Sequence, residues 1–178
     1  RVDGELKRDA LEPTYFVPMT GRAEQRRMVL PDPKKIGLIG SGFEKPTTTD
    51  EIPSGWFYLR QGQRVAEENA PEGEHCLSFS NETSGRSAHA FQAFGVDGRH
   101  AQQLEVSFWV RGKYMGQGPK KDDVAKITVD FFSHNRRPVG HVELGRWTGS
   151  FDWSYEQSKI KVPNKARLAV IGLGLFGA

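Results

Sequence analysis

The sequence contains a single cysteine, Cys76, which excludes an internal disulfide framework and any multi-cysteine zinc site. It has no run of about 18 apolar residues, so a membrane-spanning helix is excluded as well. An excess of charge is also missing: 25 Lys and Arg stand against 22 Asp and Glu, a net charge of +3. The two signs cancel locally, as where Lys120–Lys121 run directly into Asp122–Asp123. A nucleic-acid surface needs a clustered basic stripe. The nearest approach to one is Arg136–Arg137 together with Lys159, Lys161, Lys165 and Arg167, and no nucleic-acid partner is expected. The opening RVDGELKRDA lacks an apolar core of the secretory kind, so a signal peptide is expected to be absent or already removed. No long amphipathic helical pattern occurs. Instead 20 Gly and 10 Pro, with only 37% hydrophobic residues, suit a turn-rich β protein.

Residues 1–35 carry Pro13, Pro18, Pro31 and Pro33, little apolar patterning and one short helix candidate at 22–30. They read as an N-terminal arm or linker, and 36–178 as one β-sandwich domain. The clearest strand is 104–112, where Leu104, Val106, Phe108 and Val110 alternate with Glu105, Ser107, Trp109 and Arg111. Residues 125–134 alternate likewise, with Ile127, Val129 and Phe131 opposite Thr128, Asp130 and Phe132. Further strands are expected at 56–61, 75–81, 88–96, 139–145, 158–162 and 166–176, with turns at 96–98 and 135–138. Short strands separated by regular turn signals point to an all-β antiparallel sandwich or jelly roll. Nothing charged guards residues 168–178, so that segment is expected to lie centrally in its sheet. Its open side would be paired by the N-terminal region or by another chain.

The order of motifs is GSGFE (40–44), PSGW (53–56), GEHCLSFSN (73–81), AFQAFGVDG (90–98), LEVSFWVRGK (104–113), ITVDFFSHNRRPVG (127–140), the Trp147 and Trp153 segment, and VPNKARLAVIGLGLFGA (162–178). It resembles the jelly-roll carbohydrate-binding modules of the galactose-binding-like superfamily that accompany xylanases and glucanases. The resemblance covers about residues 37–178 and implies a non-catalytic polysaccharide-binding module. Such a module would belong to a larger exported protein, at an extracellular, periplasmic or cell-surface location, with a catalytic domain elsewhere in the parent. It also implies that Glu44 is a ligand of structural calcium, with carbonyls from about 73–75 and a carboxylate from a final strand. That strand does not follow LFGA here, so weak calcium binding at most is expected.

Flat aromatic faces stack on the C–H faces of pyranose rings while polar groups bracket the hydroxyls. On that chemistry Trp109, Arg111, Tyr114 and Phe132 are the candidates for a concave ligand face. Trp147 and Tyr155 are loop-borne stacking candidates. Trp56 and Trp153 read as packing residues and Gln92 as a satisfied structural amide. The five His show no metal spacing, and no nucleophile elbow or phosphate loop occurs. Glu105 and Asp130 are a chance pair of outward carboxylates, and Arg111, His134 and Tyr114 would be the working groups of a jelly-roll polysaccharide lyase. A structural or protein-interaction module of the same fold is the alternative from another class.

Overall fold

The computed structural model describes residues 36–46 and 52–178. The expected arm at 1–35 and its helix lie outside the described residues. Nine strands follow in order: β1 (Phe57–Arg60), β2 (Gly62–Ala66), β3 (His75–Phe79), β4 (Ser87–Gly95), β5 (Gln103–Met115), β6 (Ala125–Phe132), β7 (Pro138–Trp147), β8 (Gly149–Lys161) and β9 (Leu168–Phe176). The described residues contain no helix, and so none able to cross a membrane.

One layer is an antiparallel sheet in the order β1-β4-β9-β6-β7; the other consists of the pairs β2–β3 and β5–β8. Inward residues of the first layer, Ala90, Phe94, Ile127, Val129, Phe131, Ala169 and Ile171, meet Leu77, Phe79, Leu104, Val106 and Phe108 of the second. The chain passes repeatedly from one layer to the other, which makes the domain a jelly-roll β-sandwich.

The β6 register follows from its alternation. A one-residue slip would carry Ile127, Val129 and Phe131 out of the interlayer core and put Lys126, Thr128 and Asp130 into it, so the core pins the pairing. β9 is central, flanked by β4 and β6 along its whole length. Its central position agrees with the sequence expectation. Its partners do not, because the open side is closed by β6 rather than by the N-terminal region or a second chain. Gly174 permits the close approach to β4: at φ 145° its backbone lies against the Ala88 carbonyl, where a Cβ would collide.

Two elements differ from expectation. Residues 62–66 form β2, paired along its length with β3. β8 begins at Gly149 rather than near 158, so Tyr155 is a strand residue, as is Trp147 at the end of β7.

Candidate functional site

Strands β5 and β8 pair residue for residue, Trp109 opposite Tyr155, Ser107 opposite Gln157 and Glu105 opposite Lys159. All six side chains point away from the core. Trp109 is 38% and Tyr155 51% exposed, and their ring centroids are 5.2 Å apart at a tilt of 56°. At the register shift between Val110 and Gly112, the Arg111 guanidinium lies 4.8 Å over the Trp153 ring and pairs with Glu67 from the β2–β3 loop. The same loop brings Glu72, which accepts from Trp109 Nε1 at 3.4 Å. Arg111 holds the Glu67 carboxyl below its ordinary range, and Glu67 raises Arg111 in return. Glu105 accepts a hydrogen bond from Gln157. The result is a row of aromatic rings bordered by fixed charges and amides.

Trp109, Arg111 and Tyr155 are thus brought together, with Phe108 and Val110 on the opposite, inward side. Tyr114 lies at the end of the same strand, 85% exposed at φ 54°. Phe132 belongs elsewhere. It also points outward, but β5 and β6 are in opposite layers, so equal parity puts the two residues on opposite surfaces. Trp147 is a packing residue: its ring meets Phe108 edge-on at 5.7 Å and its Nε1 donates to Glu156 at 2.7 Å. Trp56 is buried. Trp153, a packing residue by its sequence, joins the outward row, half-buried beneath Arg111, and its buried Nε1 has no partner. Glu105 and Asp130 face outward from different layers and cannot span one cleft. His134, in the turn after β6, lies at the end of the sandwich opposite to Arg111 and Tyr114, so the lyase grouping is not assembled.

The outward face of the five-stranded sheet carries a second concentration of chemistry. Asp130, His141 and Glu143 stand side by side on β6 and β7, with His141 Nδ1 2.7 Å from Asp130 and Nε2 3.4 Å from Glu143. Glu143 also holds the buried Lys126 at 2.5 Å and Arg146 at 3.3 Å. Asp130, His141, Glu143 and Lys126, together with Phe91, Phe176 and Thr128, line a groove of 640 Å³. His89 stands beside it, its ring 4.8 Å from Phe91 and its buried Nδ1 without a partner. None of these residues but Asp130 stood out in the sequence. They are separated by up to 87 positions, from His89 to Phe176, and only outward parity on 125–132 and 139–145 hinted at some of them.

The two histidines are pushed in opposite directions. The Asp130 carboxylate raises His141, while burial, aided by the Arg60 charge, lowers His89. Proton-linked stabilisation at His141 is present below the unfolded value of about 6.5 and lost as pH rises through the folded value. NMR titration should place His141 above 6.5 and His89 below it, and Asp130→Asn should bring His141 down. A His141 that titrates below His89 would contradict this arrangement.

Glu44 lies in the loop preceding β1. Its Oε1 accepts the amides of Glu74 and His75 at 3.0 and 3.2 Å, and its Oε2 is 2.8 Å from His75 Nδ1. Gly73, at φ 70°, presses so closely on this carboxylate that any Cβ would overlap it. Nearby, Gln92 is buried and holds the loop by both ends of its amide, accepting from Ile39 N at 2.6 Å and donating to Ile39 O at 2.9 Å. It is a satisfied structural amide.

No protein-family model matches the sequence, and no curated protein does. Solved structures match in shape. The enzymatically active domain of tailspike protein 4 from bacteriophage CBA120 is similar at 14% identity and a TM-score of 0.53, over 70% of this chain and 18% of that one. A family 16 carbohydrate-binding module (module 2) is similar at 18% identity and a TM-score of 0.47, over 70% and 83%. The isomalto-dextranase of Arthrobacter globiformis T6, solved with panose, is similar at 15% identity and a TM-score of 0.34, over 67% and 19%. The chain therefore spans less than a fifth of the tailspike domain it matches, and what the two share is the β-sandwich fold.

Proposed function

We propose that this chain is a non-catalytic polysaccharide-binding module of the galactose-binding-like type, and that the outward face of β5–β8 is its sugar platform. The observation that carries the reading is an inverted strand. On the core-facing parity of β8 stand Ser154, which is exposed, the half-buried Glu156 and Ser158, and only then the buried Ile160, while the outward parity carries the half-buried Trp153 and the exposed Tyr155, next to Trp109 of β5. Aromatic surface on the wet side of a strand is unfavourable by itself, and local rules are broken most often at functional sites.

The mechanism is passive. Trp109 and Tyr155 stack on sugar rings, Arg111, Glu67, Glu72 and Gln157 bracket the hydroxyls, and Tyr114 extends the row. Held in a larger exported protein, outside the cell or at its surface, the module would concentrate a catalytic domain of the same parent on its polysaccharide.

Affinity electrophoresis through xylan, β-glucan, mannan and galactan gels tests this. The wild-type chain should be retarded by at least one polymer, and Trp109→Ala should weaken that interaction by about 1–3 kcal/mol. The groove supports a second placement, favoured by its volume and by Phe91 and Phe176 on its wall. Retention that survives Trp109→Ala and falls with Phe91→Ala would move the site there. No retention on any of the four gels, with no signal on a glycan array, would leave a protein-interaction module as the reading.

A further inference from the structure

Two independent attachments fasten the Phe43–Glu44 segment to the β2–β3 hairpin. The Glu44 carboxylate takes the amides of Glu74 and His75 and the His75 ring, as described above. From β2, Arg64 donates its Nε to the Phe43 carbonyl at 2.6 Å and its Nη2 to the Glu44 carbonyl at 2.8 Å. Phe43 is in the left-handed region at φ 59°, and its carbonyl and that of Glu44 both face the Arg64 guanidinium.

Calcium takes six to eight oxygens at 2.3–2.6 Å. Both oxygens of the carboxylate are here engaged by N–H donors or the imidazole ring, and the two neighbouring carbonyls point at a guanidinium. Among the described residues no group of three or more His, Cys, Asp or Glu is arranged to hold a metal. The donor set does not fit calcium.

We propose that the Arg64 guanidinium stands in for a structural cation, tying the 43–44 turn to the hairpin and making the stability of this domain independent of calcium. A planar, permanently charged fork suits two adjacent carbonyls, whereas a lysine ammonium reaches them only as a point charge. The inference is separate from the proposed glycan function, and no result on sugar binding bears on it.

The test is thermal unfolding of the whole chain in EDTA and in millimolar calcium, for the wild type, Arg64→Lys and Arg64→Met. The wild-type Tm should be the same in both media. Arg64→Met should lower it by about 4–8 °C, the order expected for losing charge-assisted bonds in a domain of this size, with Arg64→Lys in between. Should Arg64→Met fail to fold, terbium binding to the wild type decides. Trp56, whose ring lies 5.5 Å from Phe43, is placed to sensitise a lanthanide bound there. Absence of sensitised emission supports the proposal. Saturable emission displaced by calcium, a wild-type Tm raised by calcium, or an Arg64→Met Tm equal to wild type would each overturn it.

Discussion

Phe131→Ala is expected to cost about 3–5 kcal/mol of folding stability, the full range for deleting a buried aromatic ring. Phe131 is completely buried on the inward side of β6, in the core cluster between the layers. Its cross-strand neighbours are Ala169 on β9 and Gly140 on β7. Neither has a side chain long enough to swing into the space, so the cavity would persist and the loss should fall near the upper end. Urea unfolding should show a lower midpoint with an unchanged slope, because the surface exposed on unfolding hardly differs. Phe132→Ala, one residue on but half-buried on the outward face, should cost clearly less. A larger loss at 132 than at 131 would mean that the β6 register is displaced by one residue.

The same alternation explains what the sequence could disclose. Strands β4, β5, β6 and β9 keep most of their apolar residues on the side that meets the other layer, with Phe91, Trp109, Phe132 and Phe176 as outward exceptions, so period-2 reading finds them and puts Trp109 and Arg111 on the outside. β8 escapes because its aromatics fall on the outward parity: Phe151, Trp153 and Tyr155 alternate with polar residues, and Trp153 and Tyr155 look outward while the half-buried Glu156 shares a face with Phe108. Read without a partner strand, that segment resembles a loop with scattered aromatics, which is why Trp147 and Tyr155 were expected in one. β2 escapes because GQRVA is short and its arginine is spent on the 43–44 carbonyls rather than on a face. Layer assignment is the other hidden quantity. Parity says whether a residue looks in or out, but only strand pairing says which of two outsides it occupies. Phe132 was misplaced for that reason, and the Asp130–His141–Glu143–Lys126 cluster stayed invisible until β6 and β7 were in register.

Glu143→Ala should destabilise the domain by about 3 kcal/mol at neutral pH, an effect out of proportion to its half-exposed position. Lys126 is the reason. Its side chain is only 8% exposed, on β6 beside Gly174 and 5.9 Å from the Phe176 ring, and its ammonium meets Glu143 at 2.5 Å. Taking the carboxylate away leaves an ammonium largely removed from water, with the Arg146 guanidinium adding like charge nearby. The converse change is milder, because Glu143 without Lys126 still has His141 and Arg146 and partial hydration. The double variant Lys126→Met/Glu143→Ala removes the buried charge along with its partner. It should therefore recover most of the loss, since a well-packed apolar replacement of such a pair is often neutral. Urea midpoints of the four proteins give the coupling directly. Acid supplies a second check. Lys126, then His141, holds the Glu143 carboxyl below its ordinary value, so the stabilisation is present above about pH 4.5 and lost as pH falls through the lowered folded value. The gap between wild type and Glu143→Ala should close over that acid window. Strictly additive single changes, or a gap that stays constant into acid, would show that Lys126 reaches water without Glu143 and that the pair only decorates the groove.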